Sequence, residues 1–149
     1  MRDIRLGVYV AGNPHYNRDE IRWMMDWVID NPKRFSLTYD WLNEMEGPAK
    51  ESVSLEQDAE ARKKSALCDL EGVYGCDVLV LFDSPQGWGM YTELGAALAS
   101  GCHVIVVHPP YLQVFYYLDK VHVVNDFWGA QLALCDLQEI NEISAIGET

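Results

Sequence analysis

Residues 83–97 (DSPQGWGMYTELGAA) place a carboxylate just after a turn rich in glycine. Gly87 and Gly89 carry no side chain, so a ligand can approach the backbone closely there. Glu93 follows within the first turn or so of a predicted helix, where its carboxylate points over the strand ends and can serve as a nucleophile. A structural role is the alternative, because a carboxylate near a helix N-terminus stabilises the helix dipole.

Gly95 lies two residues further along the same predicted helix. Glycine in an exposed helix costs about 1 kcal/mol relative to alanine. We therefore expect Gly95 to mark a close contact between the helix and a strand.

Apolar periodicity predicts an alternating order of strands and helices along the rest of the chain. Helix ends are indicated by Asn31-Pro32 after the first helix and by Gly101 after the third. We predict strands at 4–10, 35–42, 77–83, 103–108 and 121–124, helices at 17–31, 55–74, 91–100 and 127–143, and loops or turns at 44–54 and 84–89. Residues 111–118 form an aromatic segment whose structure the pattern leaves open.

This alternation predicts an α/β fold: a flavodoxin-like or Rossmann-like, doubly wound, parallel five-stranded sheet. We find no repeat or linker, so residues 1–149 are expected to form one domain. Ligands of such sheets bind outside the carboxyl ends of the strands, at the switch point of the strand order. We therefore expect a site near the turns at Gly12-Asn13-Pro14, at residues 83–89 and at His108-Pro109-Pro110.

Three blocks of the chain resemble the nucleoside 2-deoxyribosyltransferase family and its relatives, the deoxynucleoside 5′-monophosphate N-glycosidases. The blocks are in the family's order and at its spacing. They are YVAG at 9–12, DLEGVYGCD at 69–77 and GMYTELGAALASG at 89–101.

The resemblance implies cleavage or transfer of an N-glycosidic bond without a cofactor. Glu93 would attack the anomeric carbon and form a glycosyl-enzyme intermediate, as in retaining glycosidases. Tyr9 would hydrogen-bond the nucleophile, and Asp69 would position the substrate or transfer a proton. Substrate-binding roles are expected for the cleft residues Gly12, Asn13, Asp83, Ser84, Gly87, Trp88, Gly89 and Met90, and for Asn125.

Asn125 and Trp88 each have two candidate roles. An Asn before the last helix reaches the neighbouring subunit's site in the transferases, so Asn125 implies a homodimer or higher homo-oligomer; an N-cap is its alternative role. Trp88 either stacks on a base or packs as part of a lid.

Gly87 departs from the family pattern. The transferases carry Asp there and the monophosphate hydrolases Ser, so the group that protonates the departing base is not identified. Asp83 and Ser84 are nearby candidates. The choice between transferase and hydrolase stays open, as do a TIR-like NAD or nucleotide glycohydrolase and a nucleotide-sensing module without turnover. A cytokinin-releasing phosphoribohydrolase would have PGGxGTxxE, whereas this chain has QGWGMYTE at 86–93.

The net charge of −12 argues against nucleic-acid binding, which needs a basic face. The absence of a long apolar run argues against a membrane span, and the N-terminus has no signal-peptide pattern. The four histidines and four cysteines lack metal-site spacing, so we expect no metal and reduced thiols in a cytoplasmic protein. The few basic residues near the cleft favour a neutral nucleoside over a nucleotide.

Overall fold

Short runs rich in β-branched residues form a parallel sheet in the computed structural model, which describes residues 3–45 and 55–147. The strand order is β2-β1-β3-β4-β5, and every neighbouring pair is parallel. The inner strands β1, β3 and β4 are buried over nearly their whole length, as expected when helices cover both faces. The bounds are β1 Leu6–Gly12, β2 Phe35–Leu37, β3 Val78–Phe82, β4 His103–Val107 and β5 Val121–Val124.

Helices connect the strands and cover the two faces of the sheet. The first and last helices pack on one face, and the third and fourth pack on the other. The helices are α1 Pro14–Ile29, α2 Trp41–Met45, α3 Leu55–Tyr74, α4 Trp88–Ala99 and α5 Phe127–Gly147, with a 3-10 helix at Val114–Tyr117. This is the flavodoxin-like, doubly wound α/β fold, so the predicted fold class is confirmed.

Alternation along β1 decides which face each of its side chains reaches. Val8 and Val10 pack with α1 and α5. Tyr9 and Ala11 pack with α3 and α4. Tyr9 therefore lies on the same side of the sheet as the helices that carry Asp69 and Glu93.

The start of α1 differs from the prediction. The helix begins at Pro14, because the Asn13 side chain caps it by accepting a hydrogen bond from the His15 backbone N–H at 3.0 Å. Asn17, where the sequence pattern placed the start, is a kink within α1, with φ −128° and ψ 29°.

The second strand ends at Leu37, so the predicted strand over 35–42 is too long. Asp40 caps α2 by accepting a hydrogen bond from the Asn43 backbone N–H at 2.9 Å. Residues 44 and 45 belong to α2, and residues 46–54 of the predicted loop lie outside the described residues.

Two expectations about α4 are also wrong. The helix begins at Trp88, three residues earlier than predicted. A Cβ added to Gly95 would meet nothing within 4 Å, so no close contact with a strand explains this glycine. The helix ends at Ala99, one residue before the predicted end, and Gly101 follows it with φ +79°, as expected for a glycine after a helix. None of the described helices combines the length and apolarity that crossing a membrane requires.

Candidate active site

A cleft opens at the carboxyl ends of β1 and β3, which is the switch point of this strand order. A hydrogen bond of 3.3 Å from the Asn13 side-chain amide to the Gln86 carbonyl connects the turns that follow these strands. The cavity holds about 290 Å³, near the lower end of ligand pockets. It is lined by Gly12, Asn13, Pro14, Trp41, Met45, Asp69, Gln86, Gly87, Trp88, Gly89, Met90 and Glu93.

Glu93 is the sixth residue of α4, beyond the first turn where the helix dipole acts most strongly. The expected first-turn position is therefore wrong, and the dipole does not explain this carboxylate. Glu93 instead lies on the helix face that packs on the sheet, and burial raises its pKa to about 7. A carboxyl group with this pKa is available as an anion at neutral pH and can also hold a proton.

Tyr9 faces Glu93 from the inner strand β1. Its side chain is fully buried, and neither its hydroxyl nor Glu93 Oε2 has a hydrogen-bond partner of regular geometry among the described residues. The hydroxyl nevertheless lies close enough to lower the pKa of Glu93. Burial, and then the negative charge of Glu93, raises the pKa of Tyr9, so the hydroxyl stays protonated and able to donate.

Asp69 brings a second carboxyl group to the cleft from α3. Burial raises its pKa, and its charge in turn raises the pKa of Glu93. Like charges in one cleft disfavour double ionisation, so this pair can hold one proton while the other carboxylate is free.

Gly72 lets the elements that carry these groups approach one another. A Cβ at this position on α3 would lie 2.8 Å from Tyr39 Cβ and 2.9 Å from the Tyr9 ring. A larger residue would therefore push the Tyr9 ring from its place beside Glu93.

The structure separates the predicted binding residues into two groups. Gly12, Asn13, Gly87, Trp88, Gly89 and Met90 line the cavity. Asp83, Ser84 and Asn125 are not among its described lining residues.

Asp83 is held in place by two tyrosines. The Tyr91 and Tyr116 hydroxyls each donate a 2.6 Å hydrogen bond, one to each carboxylate oxygen. Ser84 is 5% exposed, and its hydroxyl has no partner among the described residues. Neither residue is among the described residues that line the cavity, and the role of the acid missing at Gly87 stays unassigned.

Gly87 itself is constrained by packing. A Cβ at this position would overlap the buried side chain of Met90. The position has no room for a larger side chain unless Met90 moves.

Asn125 is exposed after β5, and Asp126 is the residue that caps α5. The Asp126 side chain accepts a hydrogen bond of 2.7 Å from the Gly129 backbone N–H. The N-cap interpretation of Asn125 is therefore wrong.

Trp41 and Met45 line the cavity although the sequence analysis did not select them. The Trp41 indole N–H donates to the Val10 carbonyl at 2.7 Å, which holds the ring beside the end of β1. Asp40, a favourable N-cap just before Trp41, was the sequence signal for the short helix that positions both residues.

Similarity to known proteins was found among solved structures. The chain is similar to the CMP N-glycosidase of Clostridium botulinum, with 16% identity, 88% of this chain and 97% of that chain covered, and a TM-score of 0.52. It is also similar to the 2-deoxyribosyltransferase of Bacillus psychrosaccharolyticus, with 18% identity, 83% and 89% covered, and a TM-score of 0.55. At these identities the likeness shows a shared fold. No family model and no curated protein sequence matches the chain.

Proposed function

We propose that the protein cleaves the N-glycosidic bond of a nucleoside or its monophosphate, with Glu93 as the nucleophile. The observation that carries this proposal is a buried carboxyl group with a pKa of about 7 at the fold's switch point, facing a protonated tyrosine. The two enzymes of similar structure act on N-glycosyl bonds, which supports N-glycosidic chemistry for this protein.

The first step forms a bond between a Glu93 carboxylate oxygen and C1′ of the sugar while the bond from C1′ to the base breaks. The electron pair of that bond goes to the base. Tyr9 donates towards the carboxyl group and holds it in the attacking orientation. Asp69, whose pKa burial raises, is the described group in the cleft that can give a proton to a neutral leaving base.

The second step returns the enzyme to its starting state. Water, or the nitrogen of a second base, attacks C1′ of the glycosyl ester and releases the Glu93 carboxylate. The proton lost by the attacking group goes back to Asp69. Water makes the protein a hydrolase, and a second base makes it a transferase.

Base release tests this proposal directly. The protein is incubated with ribonucleosides, deoxyribonucleosides, their monophosphates and NAD, with and without an acceptor base, and free base is measured by chromatography. We expect release from one substrate class, its loss in Glu93→Ala, and its retention in Glu71→Ala, which changes an exposed glutamate of α3. Unchanged turnover in Glu93→Ala would exclude the nucleophile assignment, and binding without any turnover would indicate a sensor.

Trapping of the glycosyl-enzyme intermediate tests the covalent mechanism separately. A 2-fluoro sugar slows the second step, so intact-mass spectrometry should detect one glycosyl adduct on the wild-type protein. The adduct should be absent from Glu93→Gln. An adduct on another residue would contradict the mechanism.

We further propose that the protein assembles as a homodimer or larger homo-oligomer in which Asn125 reaches the neighbouring copy's cleft. Asn125 is exposed and is not among the described residues lining the cleft of its own chain. If the copies share sites, mixing inactive Asn125→Ala with inactive Glu93→Gln should restore part of the activity, because hybrids contain one intact site. A monomer by light scattering, or no recovery on mixing, would refute the assembly.

A further inference from the structure

The described residues that line the cleft make it negatively charged. Asp69 and Glu93 line it, whereas no lysine, arginine or histidine does so among the lining residues that the structure describes. The whole chain carries a net charge of −12, which adds to the negative potential. Such a cleft attracts a cationic ligand and repels a phosphate.

Two tryptophans make the same cleft suitable for a flat cation. Trp41 is fixed by its hydrogen bond to the Val10 carbonyl, and Trp88 is 82% exposed at the start of α4. Both line the cavity, together with the polarisable side chains of Met45 and Met90. Indole faces bind organic cations more strongly than other aromatic side chains do.

The need to protonate a neutral leaving base also favours a cationic substrate. A neutral base leaves as an anion unless it receives a proton, and Asp69 would have to supply it, because the other described titratable group lining the cleft, Glu93, is the nucleophile. A base that carries a fixed positive charge leaves as a neutral molecule when it takes the electron pair of the glycosidic bond. Such a substrate needs no proton donor.

We propose that the substrates are nucleosides whose base carries a fixed positive charge, such as pyridinium ribosides or N7-alkylated purine nucleosides. This inference rests on the proposed function of the same site. Glu93 forms an ester bond to C1′, the C1′–N bond breaks, and the base departs neutral. Water then hydrolyses the ester, which regenerates the carboxylate and releases one proton to solvent for each substrate consumed.

Binding of a matched pair of probes tests the charge preference separately from turnover. 1-Methylnicotinamide is a cation, and nicotinamide is its neutral counterpart; tryptophan fluorescence reports the binding of each. At about pH 8, where Glu93 is ionised, we expect the cation to bind at least about tenfold more tightly, as one unscreened charge pair suggests. The preference should fall when salt rises from about 0.05 M to about 0.5 M.

Two variants localise the effect to the cleft. Asp69→Asn should remove much of the preference, whereas Glu71→Asn, on an exposed position of the same helix, should keep it. Salt dependence in the wild-type protein still tests the charge preference if Asp69→Asn does not fold. Equal affinity for the two probes in the wild-type protein would overturn the inference.

Turnover distinguishes failure of this inference from failure of the proposed function. N7-methyladenosine and adenosine are compared in ribose and 2′-deoxyribose forms, each normalised to its uncatalysed rate, and nicotinamide riboside is compared with NAD. We expect kcat/KM to be at least about tenfold higher for the cationic purine and for the riboside without phosphate. Faster cleavage of adenosine would refute the charge preference and leave N-glycosidic chemistry standing. Cleavage of none of them, together with no base release from the wider panel of nucleosides and monophosphates, would refute the proposed function, and the probe pair would still decide whether the cleft prefers cations.

Discussion

Replacing Glu93 by glutamine removes the ionisable group from the cleft while nearly preserving its shape. Burial raises the pKa of this carboxyl group from an ordinary 4.5 to about 7, so the folded protein holds the proton more tightly than the unfolded chain does. The stability associated with this proton is fully present below pH 4.5 and is lost as the pH rises through 7. One pKa unit corresponds to about 1.4 kcal/mol, so the ionised carboxylate costs the fold about 3 kcal/mol above pH 7.

Urea unfolding at a series of pH values measures this cost. The free energy of unfolding of Glu93→Gln minus that of the wild-type protein should increase by about 2 to 3 kcal/mol between about pH 5 and about pH 8. Glu71→Gln, at an exposed position on α3, is the matched control and should show no comparable increase. If turnover is found, the wild-type kcat/KM should rise through pH 7, because only the ionised carboxylate attacks.

A difference between Glu93→Gln and the wild-type protein that stays constant with pH would refute this reasoning. It would mean that the carboxyl group ionises in the folded state as easily as in the unfolded chain. The site would then have no special readiness to attack or to hold a proton. Activity independent of pH around neutrality would contradict the mechanism in the same way.

Other substitutions test how the site is supported. Gly95→Ala should stabilise the protein by about 0.5 to 1 kcal/mol, because a Cβ meets nothing there and alanine favours the helix; a loss of stability in thermal unfolding would contradict this. Gly72→Ala should destabilise it by about 1 to 3 kcal/mol and reduce turnover, because its Cβ collides with the Tyr9 ring; wild-type stability and activity would show that this packing is not required. Tyr116→Phe should cost about 1 to 3 kcal/mol, because the buried hydroxyl donates to a carboxylate. Its control, Tyr117→Phe, changes a side chain that is 74% exposed and should be neutral, so equal losses in the two variants would refute the role of that hydrogen bond.

The arrangement of the sheet was largely predictable because buried parallel strands leave a strong local signal. Residues 78–82 are a continuous apolar run and residues 104–107 are all β-branched, and helical periodicity fills the intervals between the strands. Two of the errors occurred where a single polar side chain caps a helix. Asp40 shortened β2, and Asn13 with Pro14 moved the start of α1. A hydrogen bond between a side chain and one backbone N–H decides such boundaries, and the spacing of apolar residues along the chain does not reveal that bond.

The sequence predicted which elements carry the site residues. It did not predict how these residues meet or what their proton affinity is. The sequence alone determined that Tyr9, Asp69 and Glu93 lie on a strand and two helices of an α/β fold. Only the tertiary structure decided that the three meet on one face of the sheet, that tyrosines hold Asp83, and that Trp41 borders the cleft. The raised pKa of Glu93 likewise depends on burial by elements that are far apart in the chain. Local sequence determines which backbone shape each segment adopts, whereas charge and proton affinity depend on which segments exclude water from each other.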